Sequence, residues 1–499
     1  MDLLIPFLFL MAFVVNFRAV VKLLIDWKGM LTTLRLVKAT ATRLHELPSE
    51  EALEQDDRAP VFLHLVPAYQ EPAIGGTLQA LLGSRYPQSK LHVVVVTKAE
   101  EDLAPHPAMG ISTAEVVRRF QAELPPYQQK RLWILTMPGA GRKAHQLNWA
   151  LRPELLGEVL GEAFDPARHF VGVSDADSLP DPNVYLWIAQ EELAGRGALA
   201  YQGVTLSLAN FDRLDVRSRI CAVQQSSIFI RVSIARLINE VKRVRILETL
   251  CRRAPWAAGV IRPMFEFLFR RSQICLGHNQ FVRLDTLQSL GGFPSDGATE
   301  DSTLGYDLGR RGILIRALPL VEVNDLPETP EKIIRQNARW YKGVLDDVRH
   351  LWRAWRDEPR AFNLAQLLRH VGNKVVEWPT AVLVYPLLGF LGWQLAYFYR
   401  DPLWLFALAL AFPGAALGLS IWVGGLVTQR TIEELMPCLP KPVDVRWKTL
   451  RDRFWGVFRC QTYWLLATRA AWRVLWALAR TGCYEPAKTD RVIRPRVTG

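Results

Sequence analysis

From Trp378 to Tyr399, and again from Leu403 to Gln429, the chain carries no charged residue, and only Arg400, Asp401 and Pro402 separate the two stretches. About 20 apolar residues suffice for a helix to cross the hydrocarbon core of a bilayer. Both stretches hold Trp and Tyr near their ends (Trp378, Tyr399, Trp404, Trp422), as membrane boundaries select. Two membrane helices joined by a tight turn are therefore expected, with a buried soluble hairpin as the alternative. The basic residues that follow (Arg430, Lys441, Arg446, Lys448, Arg451, Arg453) orient the pair with both flanks cytoplasmic. Composition agrees with a soluble body carried on a membrane-associated end. Twelve of the 17 tryptophans lie from Trp340 onward, and residues 430–499 hold 14 Lys/Arg against 6 Asp/Glu, a net +8 of the total +12.

Three weaker segments extend this plan. Leu3 to Phe17 is apolar but short, preceded by Asp2 and followed by Arg18 and Lys22, so it reads as a signal anchor or interfacial helix and not as a cleaved signal. Tyr463–Ala479 is interrupted by Arg469 and Arg473, and Ala361–Val376 by Arg369 and Lys374, so both read as amphipathic helices on the inner surface. The expected organisation is a membrane anchor or interfacial helix over 1–27 and a linker or helix over 28–58. A catalytic-type domain over 59–345, with a basic amphipathic insertion at 210–273, precedes an interfacial helix over 346–377. Two membrane helices at 378–429 and a basic cytoplasmic or interfacial region at 430–499 complete it. The six cysteines show no paired spacing, which fits a reducing compartment.

The body reads as α/β. Val61–Val66, Leu91–Val96, Leu132–Leu135 and His169–Val173 are short apolar runs, each followed by a turn or helical pattern, which implies a mainly parallel sheet wrapped by helices. Ligands of such sheets gather beyond the carboxyl ends of the strands. There stand Asp175 and Asp177, two carboxylates suited to Mg²⁺ or Mn²⁺ with phosphate oxygens, although turns after strands are often acidic anyway. Lys143 follows Gly139 and Gly141 at a helix start, as a phosphate ligand or a solvated lysine. Glu300 and Asp301 open a helix after Thr299, where acidic residues are also simply stabilising. Gln336, Arg339 and Trp340 share one helix face, as a phosphate- and sugar-binding stripe or as packing.

In this order and spacing, VPAYQE (66–71), the Lys143 loop ending in LNWAL, SDAD (174–177), ATED (298–301) and QNARW (336–340) resemble the membrane-bound family 2 glycosyltransferases, the group of cellulose, chitin and hyaluronan synthases. The resemblance covers roughly Pro60 to Gly343. It implies a GT-A fold, Rossmann-like, in the cytoplasm of a multi-pass inner-membrane protein, and an inverting transfer from a nucleotide-activated sugar, UDP being favoured. It also implies a role for each motif residue. Asp175 contacts the donor and Asp177 the Mg²⁺ or Mn²⁺ on its diphosphate. Asp301 is the general base, with Glu300 beside it in the catalytic motif. Gln336, Arg339 and Trp340 line the diphosphate and acceptor end, Lys143 contacts phosphate, and Pro67, Ala68, Tyr69 and Glu71 border the nucleoside. The acceptor is a lipid or saccharide at the membrane, and protein partners or an oligomer are open.

Two departures stand out. Where the family carries an aspartate after its second strand, this chain has Thr97 and Lys98, followed by Glu100 and Glu101, which puts the nucleoside contact in question. Only two or three spans are expected, too few for one chain to enclose a polymer channel. A second reading is thus a membrane scaffold or receptor component that binds ligand without turnover; intact Asp175, Asp177, Asp301 and Arg339 argue for catalysis. The basic 210–273 stretch is expected to line an acceptor groove, rest on anionic headgroups or form a solvated face. Nucleic acid is a poor partner for it, since no nucleic-acid motif accompanies it. His278 is expected to follow a strand, as a structural histidine or one near the acceptor or metal.

Overall fold

The computed structural model describes residues 4–105, 110–270, 272–380, 426–441, 443 and 461–485. The two charge-free stretches fall largely on 381–425, outside the described residues. Among the described residues, no helix is long and apolar enough to cross a membrane.

All four expected strands form: β1 Val61–Pro67, β2 Leu91–Lys98, β3 Leu132–Met137 and β4 His169–Val173. β1 pairs in parallel with both β2 and β4, and β2 with β3. The run Val93–Val96 is apolar throughout because both faces of a parallel sheet are covered. Successive residues then serve opposite cores: Leu63, Leu65, Val94 and Val96 pack on one side, and Phe62, Val66, Val93 and Val95 on the other. Three more strands complete the sheet, β5 Ala200–Leu206, β6 Gln280–Arg283 and β7 Ile315–Val323. The order is β3-β2-β1-β4-β6-β5-β7, with β6 antiparallel to both neighbours and β5 parallel to β7. This mixed, mostly parallel seven-stranded sheet with helices on both faces is the α/β arrangement expected of a GT-A domain.

The helices bear on the expected boundaries. Leu4–Ala41 is one helix, running through the division placed at residue 27, and its later turns insert Met30, Leu34 and Val37 into the main core. Pro330–Asp357 is likewise one helix, started by Pro330 and the Thr329 side chain, which accepts from Lys332 N. A boundary at 345 falls inside it, because its apolar face continues from Ile333 through Val344 to Leu351. Gln461–Thr481 lies along this helix, with Ala470, Ala471 and Val474 against Ile334, Ala338, Tyr341 and Val344, and with Arg473 Nη1 2.6 Å from Glu331 Oε1. Ala361–His370 similarly turns Phe362, Ala365 and Leu367 inward. Both segments that read as amphipathic from sequence thus have an inner face occupied by protein, while Leu465, Trp472, Trp476 and Leu368 stay exposed.

Candidate active site

The carboxyl ends of β1, β2 and β4 open into a cavity of about 1320 Å³. Its walls include Pro67, Tyr69, Glu71, Lys143, Asp175, Asp177, His278, Glu300, Asp301, Gln336, Arg339 and Trp340. Of the donor, metal, catalytic and acceptor residues expected from sequence, only Ala68 is missing from this lining. It is buried in the core, and its carbonyl accepts from Gln146 Nε2 at 2.9 Å.

Lys143 is the hub. It is the first residue of the helix Lys143–Ala150, whose start is set by the preceding glycine loop, with Gly139 at a left-handed φ of +80°. Its ammonium donates to Asp175 Oδ1 and to the Gly277 carbonyl, both at 2.6 Å, and lies 3.6 Å from Glu300 Oε1. Burial alone would lower its pKa, but Asp175, Glu300 and Asp301 outweigh burial and hold it above the ordinary lysine value. The Gly277 position is closed to side chains: at φ +76°, a Cβ would stand 2.8 Å from Asp301 Oδ2 and 3.4 Å from Lys143 Nζ.

Asp301 follows Glu300 at the start of the helix Glu300–Arg310. Thr299 is the N-cap residue, but its side chain makes no capping bond; it is seated against Gly343, where there is no room for a Cβ. Burial and the neighbouring Glu300 carboxylate push the Asp301 pKa up to about 7, against the pull of Lys143 and of the Ser302 N–H, which donates to Oδ1 at 2.7 Å. Ser302 Oγ and Thr303 Oγ1 donate to the two oxygens of buried Asp347 at 2.7 and 2.8 Å, fastening this helix to Pro330–Asp357. That second helix brings Gln336, Arg339 and Trp340 to the same cavity. Among the described residues, Gln336 Oε1 is buried with no hydrogen-bond partner and Arg339 makes no ion pair. An acceptor atom and a guanidinium are thus available to whatever enters.

Two features escape the sequence. Glu322, wholly buried on β7, accepts from Ser174 Oγ at 2.9 Å and stands 2.6 Å from His278 Nδ1. His278 precedes β6, in a turn with Gly277 and Asn279 both at positive φ; it does not follow a strand. Burial works against its imidazolium, but the Glu322 hydrogen bond and charge prevail and raise its pKa above the ordinary value. The only sequence signal was a lone acid inside the apolar run LPLVEV. Replacing Glu322 with Ala leaves the His278 ring nitrogen and the Ser174 hydroxyl without their buried acceptor, and is expected to cost about 1–3 kcal/mol of stability in denaturant unfolding. Because folding raises this histidine's pKa, the pair's stabilisation is full below the unfolded value and fades as pH rises through the folded one.

The second feature is the β2 end. Lys98 Nζ lies 4.4 Å from the centroid of the Tyr69 ring and 3.2 Å from Glu100 Oε1. Glu101 is buried instead, its Oε1 accepting from Thr113 N and Oγ1 at 2.7 and 2.6 Å. Of the two glutamates, only Glu100 contacts Lys98, which lines the cavity.

Fold and site together define an α/β domain with a charged cleft at its strand ends. Residues 59–343 match the family described as "Glycosyltransferase like family 2", more than half the chain, and the protein belongs to that family; it is a family 2 glycosyltransferase. No curated relative matches the chain. Among solved structures, the mannosyltransferase PcManGT from Pyrobaculum calidifontis, in complex with GDP-Man and Mn²⁺, shares 18% identity over 91% of this chain and 99% of its own, with a TM-score of 0.40. S. aureus TarS residues 1–349 share 13% identity over 85% of this chain and 92% of their own, with a TM-score of 0.36. Both likenesses are remote, and neither bears on this chain's donor or acceptor.

Proposed function

We propose that the protein transfers a sugar from a nucleotide-activated donor, a UDP-sugar on family grounds, with inversion, to a lipid or saccharide acceptor at the cytoplasmic face of the inner membrane. The observation that carries this reading is one cavity lined together by Asp301, the Lys143–Asp175 pair and Arg339. Each suits one part of a single displacement. The acceptor hydroxyl attacks the anomeric carbon and its proton passes to the Asp301 carboxylate, while the bond to the diphosphate breaks. Arg339 meets the charge that develops on the leaving diphosphate, and the Trp340 ring offers a face to the sugar. Lys143 stands between Asp175 and Glu300 and offsets the repulsion among Asp175, Glu300 and Asp301, so that three carboxylates can share one cleft.

The residues also fit a divalent cation. Mg²⁺ is commonly held by one or two carboxylates together with substrate phosphates. Asp175 and Asp177 are such a pair, and among the described residues no three His, Cys, Asp or Glu side chains gather into a full metal cage. Asp177 is buried, with Oδ2 accepting from the Asp325 N–H at 3.2 Å. When bound, the ion would neutralise the diphosphate. Calorimetric binding of UDP is expected to weaken in excess EDTA, to recover with Mn²⁺ or Mg²⁺, and to lose that dependence in Asp177→Asn; metal-independent binding by the wild type would contradict the assignment.

The reading is tested by nucleoside diphosphate release from a panel of sugar nucleotides, using full-length protein in native membranes. Donor consumption supports transfer. Tight nucleotide binding without consumption of any donor supports the ligand-binding alternative, for which Lys98 over Tyr69 is the favouring observation.

A further inference from the structure

The helices Ala235–Arg253 and Ala258–Leu268 form a hairpin with an unusual outer surface. No residue of the second helix is buried. Trp256, in the link between them, is 89% exposed and Val260 72%, and Met264, Phe267 and Leu268 follow Val260 along one helical stripe. Ile246 and Leu250, one turn apart on the first helix, are exposed as well. Soluble surfaces rarely leave so many large apolar side chains together. Around them stand Lys242, Arg245, Arg252, Arg253 and Arg262, none in an ion pair among the described residues. Among the hairpin's own residues only Glu248 opposes them on the exposed surface, because Glu240 and Glu266 are taken by Arg243 and Arg270.

The base of the hairpin, by contrast, is fixed. Arg270 lies 3.6 Å from Glu240 on the first helix and 3.2 Å from Glu266 on the second, and its guanidinium sits over the Phe362 ring at 4.5 Å. Arg369 donates to the carbonyls of Phe267 and Arg270. Phe362 and Arg369 belong to Ala361–His370, the helix whose chain continues through residue 380 into the charge-free stretch. The apolar stripe is therefore anchored to the helix Ala361–His370, which leads along the chain to the charge-free stretch that starts at Trp378.

We infer that this hairpin is a second membrane contact, dipping Trp256, Val260, Met264 and Leu268 into the interface of an anionic bilayer while the arginines meet its headgroups. Apolar stripe and unpaired cations on one amphipathic element are the combination that binds such surfaces, and the charge selects anionic over neutral lipid. The contact would hold the wall of the cavity formed by Arg236, Lys242, Arg243 and Ile246 at the bilayer, where a membrane-borne acceptor enters.

The test uses full-length protein carrying Val260→Cys, labelled with nitrobenzoxadiazole, with Cys251, Cys438, Cys460 and Cys483 replaced by Ser so that the remaining native thiols, Cys221 and Cys275, are buried, reconstituted into nanodiscs. Any spanning segment would hold neutral and anionic bilayers equally close, so the difference between them reads the hairpin. With phosphatidylglycerol present, the label is expected to shift to the blue and brighten, and with phosphatidylcholine alone to stay solvent-like. Arg252→Glu, Arg253→Glu and Arg262→Glu together should abolish the shift. Solvent-like emission in both lipids overturns the inference. A shift that is the same in detergent and grows with protein concentration also overturns it, in favour of contact with a second copy.

Discussion

Asp301→Asn is expected to lower the transfer rate by about 10²–10⁴-fold, the usual contribution of a positioned general base, while leaving UDP-sugar affinity within a few-fold of wild type. Asn keeps the shape and can still accept the Ser302 N–H, so the helix start is preserved, but it cannot take a proton. The pH profile is a second readout. A base works only when ionised, and burial together with Glu300 pushes this carboxyl up to about 7. Wild-type kcat/KM should therefore rise with pH to a limb near 7 and level above it. Glu300→Gln removes the like charge, lowers the Asp301 pKa, and is expected to move the limb to lower pH. Retained turnover in Asp301→Asn would reject it as the base, and an unmoved limb in Glu300→Gln would reject the electrostatic coupling.

Arg339→Ala is expected to reduce kcat by about 10²–10³-fold, the range seen when one preorganised donor to a developing anion is removed. The helix Pro330–Asp357 is packed through residues on its other side, so the protein should fold with little loss of stability. Arg339→Lys restores charge without the planar two-pronged donor set and should recover only part of the rate. Because Arg339 is unpaired among the described residues, its charge is not consumed by holding the fold together. A variant with wild-type kcat would place the leaving diphosphate elsewhere in the cavity.

The legible part of this molecule is the part written locally. β1 to β4 are short apolar runs with polar residues directly after them, so their parallel direction and the positions of Asp175, Asp177 and Tyr69 could be read along the chain. Lys143, Glu300–Asp301 and the Gln336, Arg339 and Trp340 stripe were found the same way, by position at helix starts and on one helix face. What was not legible depends on residues far apart. β6 is four residues long and opens with a buried Gln280, a pattern no periodicity distinguishes from a loop. β7 contains Pro319 and Glu322, and Glu322 has a reason to be there only once Ser174 and His278 arrive from other elements. Gly277 looks like a turn glycine in sequence, yet its missing side chain is what lets Asp301 and Lys143 approach. Ala68 sits inside a motif but faces the core. The Thr97–Lys98 departure was visible, but not that Lys98 lies over Tyr69 or that Glu101 is spent on Thr113.

Sugar transfer by this cavity is tested most directly in membranes. Membranes containing the full-length protein, incubated with radiolabelled UDP-sugars and Mn²⁺, should move label into a lipid-extractable or polymer fraction. Asp301→Asn membranes with equal protein should leave it in the donor. Equal transfer by both, or none by the wild type with any donor, would contradict the account.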